Sequence, residues 1–346
     1  MIAGGLLILV AVVVLVGPTL HWAPIDFCRF HSGSKMILAG QNPYGRLPFF
    51  APPWFAFLLS PLLLVPCSSA ALAWTLINVA VVVASSYVLW APTATTGRQH
   101  RPAILSLTAL LPYPLFTYMT GQLSIVALCA CVLSSWGLIS GLQWPVVASL
   151  VLATLKPHIL ALPMLLVLLE LIRRRRWQTL IVTSVILAIL GLIAAFFVPT
   201  WPRALLSSWA SGGFYEPRDN LLGLAAFNVP LWLTCPFLVY VLLLWKQRGL
   251  DRHVMALAVA TNLLVMPYSR SYDYVLLLIP LAVIWTTPRV PHQRLALGLA
   301  ASAQFLPLIR ILLPQAGLVE ALAPTLCMLG LLAISHLNSS AVHRKV

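Results

Sequence analysis

RRRRWQTLIVTSVILAILGLIAAFFV, residues 173–198, decides what kind of molecule this is. Four arginines, Arg173–Arg176, stand directly before a run from 178 to 198 without a single charged side chain. A run of about 20 apolar residues is the length at which a helix crosses the hydrocarbon core of a bilayer. A block of arginines at one end of such a run marks the side that stays in the cytoplasm. The rest of the chain repeats the pattern. Of 346 residues, 61% are hydrophobic and 8% charged, and the mean hydropathy is +0.96. Soluble domains carry about a quarter charged residues. In lipid the backbone must satisfy its own hydrogen bonds, so the spans are expected to be helices. The short alternating strands of an outer-membrane barrel are absent from the pattern.

Apolar spans are predicted near residues 2–20, 69–90, 103–119, 123–140, 144–155, 158–172, 178–198, 228–245, 254–267, 274–287, 295–312 and 317–335. The expectation is an all-α polytopic membrane protein, one domain over 1–346, with about 12 transmembrane helices in a range of 10–13. Met1–Leu20 has neither a basic leader nor a small-residue cleavage site, so it reads as a retained first helix. Residues 48–66 are apolar, but Pro48, Pro52, Pro53, Pro61 and Pro66 break any helix there. That segment is expected to re-enter or lie at the interface, within a first external loop over 21–68. With a cytoplasmic N-terminus, 13 of the 21 Lys and Arg fall in cytoplasmic segments, including Arg98, Arg101, Arg173–Arg176, Lys246, Arg248, Arg252, Arg289 and Arg294. The net charge of +14 then belongs to topology-setting loops near anionic headgroups, and no nucleic-acid partner is expected. The cysteines (28, 67, 129, 131, 235 and 327) have no metal-ligand spacing; Cys28 and Cys67 share a loop but are read as unpaired.

Acidic residues are scarce. Asp26 is the only one before Glu170. The same count of crossings puts Asp26, Lys156, Glu216, Asp219, Arg270 and Asp273 on the extracytoplasmic face, while Glu170 and Asp251 fall among arginines on the other. Ionisable groups at membrane depth are costly and point to function by default. Asp26 reads either as a helix cap or loop charge, or as a general base. It is followed by an expected short helix over Ser32–Ala39 and the turn Gly40-Gln41-Asn42-Pro43-Tyr44. Two outer turns follow, Thr120-Gly121-Gln122-Leu123-Ser124 and Leu155-Lys156-Pro157-His158. Lys156 is either a snorkelling lysine or a cation gripping a phosphate at headgroup depth. The last outer segment, Met266-Pro267-Tyr268-Ser269-Arg270-Ser271-Tyr272-Asp273-Tyr274, offers an Arg–Asp pair in an aromatic belt, or a second cation with hydrogen-bonding groups for phosphate or sugar.

These motifs together resemble glycosyltransferase family 87. Asp26 after the first helix, Leu38-Ala39-Gly40-Gln41-Asn42-Pro43-Tyr44, Pro52-Pro53 and the Pro61 to Pro66 stretch look like its first loop. Gly121-Gln122 and Lys156-Pro157 look like its middle motifs, and Pro267-Tyr268 with Tyr272-Asp273 is similar to its late loop. The resemblance runs from about residue 20 to 290. It implies a GT-C-type fold and a multi-pass enzyme of a bacterial cytoplasmic membrane. Such an enzyme moves mannose, or another hexose or pentose, from a polyprenyl-phosphate donor to a lipid-linked or cell-envelope glycan acceptor outside. It also implies that Asp26 is the catalytic base. Ala51 stands where the family often has tyrosine before Pro-Pro, and no second acid accompanies Asp26.

One-step inverting transfer needs a single carboxylate base, and the phosphate leaving group needs fixed positive charge, not a proton. Asp26 is assigned the first role, and Lys156 and Arg270 the second. Asp273, Gln122, Tyr44, Asn42 and His158 are the expected substrate contacts, and Trp54 and Phe55 are expected to shape a prenyl groove. No metal or other cofactor is expected. The partners are the donor, the acceptor and membrane lipids. The alternatives are a transporter or flippase of lipid-linked sugars, which calls for repeat-related halves, and a polymerase or ligase of lipid-linked glycans. The cytoplasmic segments are too short for a nucleotide-binding domain.

Overall fold

The computed structural model describes residues 24–90, 108–211, 235–266, 269–287, 292–312 and 322–343. The expected first helix at 2–20 lies outside them, as do Glu216, Asp219, Pro267, Tyr268, Arg98, Arg101 and Arg289. Every regular element in the described residues is helical. The helices are α1 (Ile25–Leu38), α2 (Phe55–Leu59), α3 (Cys67–Trp90), α4 (Pro112–Thr120), α5 (Ser124–Ser140), α6 (Gln143–Ala153), α7 (Ala161–Arg173), α8 (Trp177–Phe197), α9 (Trp201–Ser211), α10 (Cys235–Arg248), α11 (Arg252–Val265), α12 (Leu278–Thr286), α13 (Gln293–Leu312) and α14 (Ala323–His343). By length and composition, α3 and α8 are able to cross a membrane; α5, α6 and α11 are shorter apolar helices.

Two hydrophobic clusters organise the chain. The larger joins α3 to α7 with α10 to α14. Its axis is α11, buried at every position from Val254 to Leu264, as expected of a helix that is apolar all round. Against α11 lies α14, which pairs along its length with α13. Ala296, Ala300 and Ala303 form one buried stripe of α13, and Gly330 of α14 lies so near the Ala296 carbonyl that a Cβ would stand 3.0 Å from it. Small residues at such a contact let helix backbones approach where lipid gives no hydrophobic drive. By contrast α8 keeps Ile181, Val185, Ile189, Leu192 and Phe196 exposed, an apolar face suited to lipid.

The smaller cluster is a cap built from α1, the 43–64 segment and the start of α3. Phe27, Phe30, Ser34 and Ile37 recur at helical spacing on the buried face of α1. The helix therefore begins before Asp26 and ends at Leu38, seven residues earlier at its start than the Ser32–Ala39 helix expected. The prolines do break 48–66, into α2 and a 3-10 turn over Ser60–Leu64. Cys28 and Cys67 form a disulfide, which corrects the reading of both as free. Packing of α1 on the first turn of α3 brings together two thiols that lie 39 residues apart. The sequence reading also missed α9. Its apolar face is short, with Leu205 and Ser208 turned inward and Arg203 outward.

Polar contacts collect at two ends of the bundle. At one end Glu170 is fully buried and accepts from Arg173, Arg174 and the Trp245 indole. There too Arg174 reaches the Leu138 carbonyl and Arg252 the Leu89 carbonyl. The other end holds the connections 120–124, 154–160 and 269–277.

Candidate active site

At this second end, in the seam between cap and bundle, lies a cavity of about 300 Å³. Asp26, Gln122, Lys156, His158, Arg270 and Asp273 line it, so the structure brings together six of the eight residues proposed from sequence. Phe30, Pro48, Phe50 and Ala51 form an apolar wall, and Ser208 enters from α9.

Asp26 sits in the first turn of α1, where the helix dipole favours a carboxylate. Its Oδ1 accepts from Arg29 Nη1 at 2.9 Å and its Oδ2 from Gln122 Nε2 at 2.5 Å. The side chain keeps 22% of its surface exposed. Gln122 reaches it because Gly121 ends α4 with φ +69°, in the left-handed region. A Cβ at Gly121 would stand 2.5 Å from Phe27 Cβ, so only glycine lets this turn lie against α1.

Across the cavity, three connections converge on a second polar cluster. Lys156 Nζ donates to Asp273 Oδ1 at 2.6 Å and to Ser124 Oγ at 2.9 Å, and stands 4.7 Å from the centre of the Tyr272 ring. Ser124 Oγ donates to the same Asp273 oxygen at 2.6 Å, and the Arg270 amide donates to Asp273 Oδ2 at 3.0 Å. Burial pushes the Asp273 carboxyl up, but Lys156, with His158 and the hydroxyl of Ser124, overrides it and holds the group below the ordinary carboxylate value. The pairing is therefore Lys156–Asp273, not the Arg270–Asp273 side-chain pair that adjacency suggests.

The Lys156 turn is held from behind. Asn262 of α11 accepts from the Leu162 amide at 2.9 Å, one of the first-turn donors of α7 that has no partner within the helix, and donates to the His158 carbonyl at 3.2 Å. Asn262 is 2% exposed, and nothing in its position along the chain singles it out.

Asn42 and Tyr44 stand outside the cavity lining. Asn42 Oδ1 accepts from the Tyr44 amide at 3.0 Å, an Asx turn, and the buried Tyr44 hydroxyl donates to the Ala51 carbonyl at 2.8 Å. Both hold the loop that presents Ala51 to the cavity. Trp54 and Phe55 are likewise buried in the cap; Pro48, Phe50 and Ala51 make the apolar wall in their place. Ser124, Tyr272 and Ser208 were missed. Ser124 and Tyr272 lie inside motifs already singled out, whereas Ser208 gave no signal.

No curated protein and no solved structure matches the chain. The model of glycosyltransferase family 87 does match it, over residues 49–308. That range holds Gln122, Lys156, His158, Arg270 and Asp273, while Asp26 precedes it. A match over well more than half of the chain, on an all-helical framework with two helices fit to cross a membrane, makes this protein a member of glycosyltransferase family 87, a membrane glycosyltransferase.

Proposed function

We propose that this enzyme transfers a sugar from a polyprenyl-phosphate carrier to a lipid-linked or envelope glycan acceptor on the extracytoplasmic side of a bacterial cytoplasmic membrane, with inversion, and that Asp26 is the base. The observation that carries this reading is the division of labour between two carboxylates in one cavity. Asp273 is buried and committed to Lys156, Ser124 and the Arg270 amide. Asp26 keeps exposed surface on the cavity. An acceptor hydroxyl beside Asp26 gives up its proton to the carboxylate as its oxygen attacks the anomeric carbon. The bond from that carbon to the phosphate oxygen breaks on the opposite face, and the phosphate leaves with the electron pair. Lys156 and Arg270 stabilise that charge as fixed cations. Asp273 keeps the Lys156 ammonium in place without the entropy cost of ordering it at each turnover.

The apolar wall of Phe30, Pro48, Phe50 and Ala51 suits the first units of a prenyl chain entering beside the cap. Two features support the outward-facing orientation. Cys28–Cys67, two residues from Asp26, belongs to an oxidising compartment, and the arginine-rich end of the bundle is the opposite one. The shorter apolar helices complete the crossings that α3 and α8 begin.

The test is incubation of purified protein with a panel of radiolabelled polyprenyl-phosphate sugars and a membrane lipid extract. Transfer from one donor by wild type, and none by Asp26→Asn that still elutes as a folded protein, is the expected result. Turnover near the wild-type rate by Asp26→Asn removes Asp26 as the base. Transfer only from nucleotide sugars overturns the donor class.

A further inference from the structure

Both ends of the Asp26–Gln122 contact hang from one side chain. The Trp74 indole of α3 stacks on Phe27, with ring centres 5.7 Å apart and planes 22° apart, and so fixes α1 beside Asp26. Trp74 Nε1 also donates to the Gly121 carbonyl at 3.1 Å, fixing the turn that carries Gln122. The Gln122 amide nitrogen is tied back to the Thr117 carbonyl at 3.3 Å. Gln122 is 5% exposed, and its carboxamide donates to Asp26 Oδ2 at 2.5 Å. The terminal torsion of an aspartate is soft and roughly two-fold, so a free carboxylate turns easily. Arg29 holds the other oxygen, but its side chain is 43% exposed, and an exposed pair of this kind is a weak tether. The buried amide is the contact that sets the carboxylate plane.

We propose that Gln122 is a positioning residue for the base: it acts through Asp26, not on the donor, by holding Oδ2 firmly while Oδ1, gripped only by the exposed Arg29, keeps a second lone pair for the acceptor hydroxyl. This rests on Asp26 being the base. The turn Gly121-Gln122 is then a mount that the packing of Trp74 and Phe27 aligns with α1. Charged and titratable groups facing Asp26 are Arg29 on its own helix and Lys156, His158, Arg270, Tyr272 and Asp273 around the cavity; His31 of α1 turns to the Val65 carbonyl.

The experiment uses the full-length enzyme in detergent, the same panel of radiolabelled polyprenyl-phosphate mannose, glucose and arabinofuranose, and three variants. Gln122→Met keeps the volume and removes the donor. The expected result is a fall in kcat of about 10- to 100-fold, the worth of one hydrogen bond to a charged group, with donor KM within about twofold of wild type. Gln122→Glu keeps the shape and puts a second carboxylate against Asp26; its rate falls further, and the acid limb of its pH–rate profile moves to higher pH. Asp26→Asn, run in parallel, is inactive. A raised donor KM at unchanged kcat in Gln122→Met makes Gln122 a donor ligand and overturns the proposal, as does an acid limb that stays put in Gln122→Glu. Those results leave an inactive Asp26→Asn intact. An active Asp26→Asn removes the base itself, and the positioning role with it.

Discussion

Replacing Asp273 by asparagine keeps the shape of the cluster but strands the Lys156 ammonium, whose side chain is only 11% exposed, against a neutral amide. Breaking a buried pair costs about 3–5 kcal/mol, because the surviving charge keeps its desolvation penalty and loses its partner. Lys156 borders the cavity and retains Ser124 Oγ at 2.9 Å as an acceptor, which sets the loss at the low end, about 3 kcal/mol. In a domain of this size about 1 kcal/mol corresponds to roughly 2 °C, so a fall in Tm of about 6 °C is expected. The pH dependence has a definite sign. The Asp273 carboxyl is held below its ordinary value of 3.8, so its contribution is complete above that pH and fades only as pH falls through the lower, folded-state value. The deficit of Asp273→Asn is therefore constant from neutral pH down to the ordinary carboxylate range. The assay is thermal unfolding of the detergent-solubilised protein followed by intrinsic fluorescence. The double variant Lys156→Met with Asp273→Leu removes both charges and recovers most of the Tm, while its transferase activity stays low for want of the cation. A single variant that melts with wild type, or a double variant whose loss is the sum of two large single losses, refutes the reasoning.

Opening Cys28–Cys67 by a double serine replacement releases a 39-residue closure worth about 4 kcal/mol of chain entropy. Its measure is Tm, with the bond itself read as protection of both thiols from alkylation before reduction. Gly121→Ala brings a Cβ to 2.5 Å from Phe27 Cβ in a left-handed turn; a cost of about 2 kcal/mol in unfolding and a loss of transfer are expected together. Tyr44→Phe removes the donor to the Ala51 carbonyl and costs about 1 kcal/mol of stability, leaving donor KM where it is. A raised KM in that variant makes Tyr44 a substrate contact after all.

Much of this protein was legible in one dimension because the membrane simplifies the problem. A helix must satisfy its own backbone, so α5, α6, α8, α11 and α13 begin and end within about two residues of the apolar runs that predict them. The scarcity of acids made Asp26 and Asp273 visible. Short or two-faced segments were not legible. The helix α9 shows too little apolar surface to register, and α1 starts earlier than its turn residues suggest because the apolar spacing of Phe27, Phe30 and Ile37 extends it.

By itself the sequence determined that the chain is all-helical, most of the longer apolar helices and the short list of polar residues, because all three follow from local hydrophobicity and charge. Only the tertiary structure decided which of those residues meet. Lys156 and Asp273 lie 117 positions apart, and Asp26 and Gln122 lie 96 apart. Long-range pairing depends on how helices pack, here on Trp74 holding α1 to the Gly121 turn and on Asn262 holding the Lys156 turn to α11. It was packing, too, that committed Asp273 to a lysine, left Asp26 open to the cavity, and turned Tyr44 and Asn42 into framework.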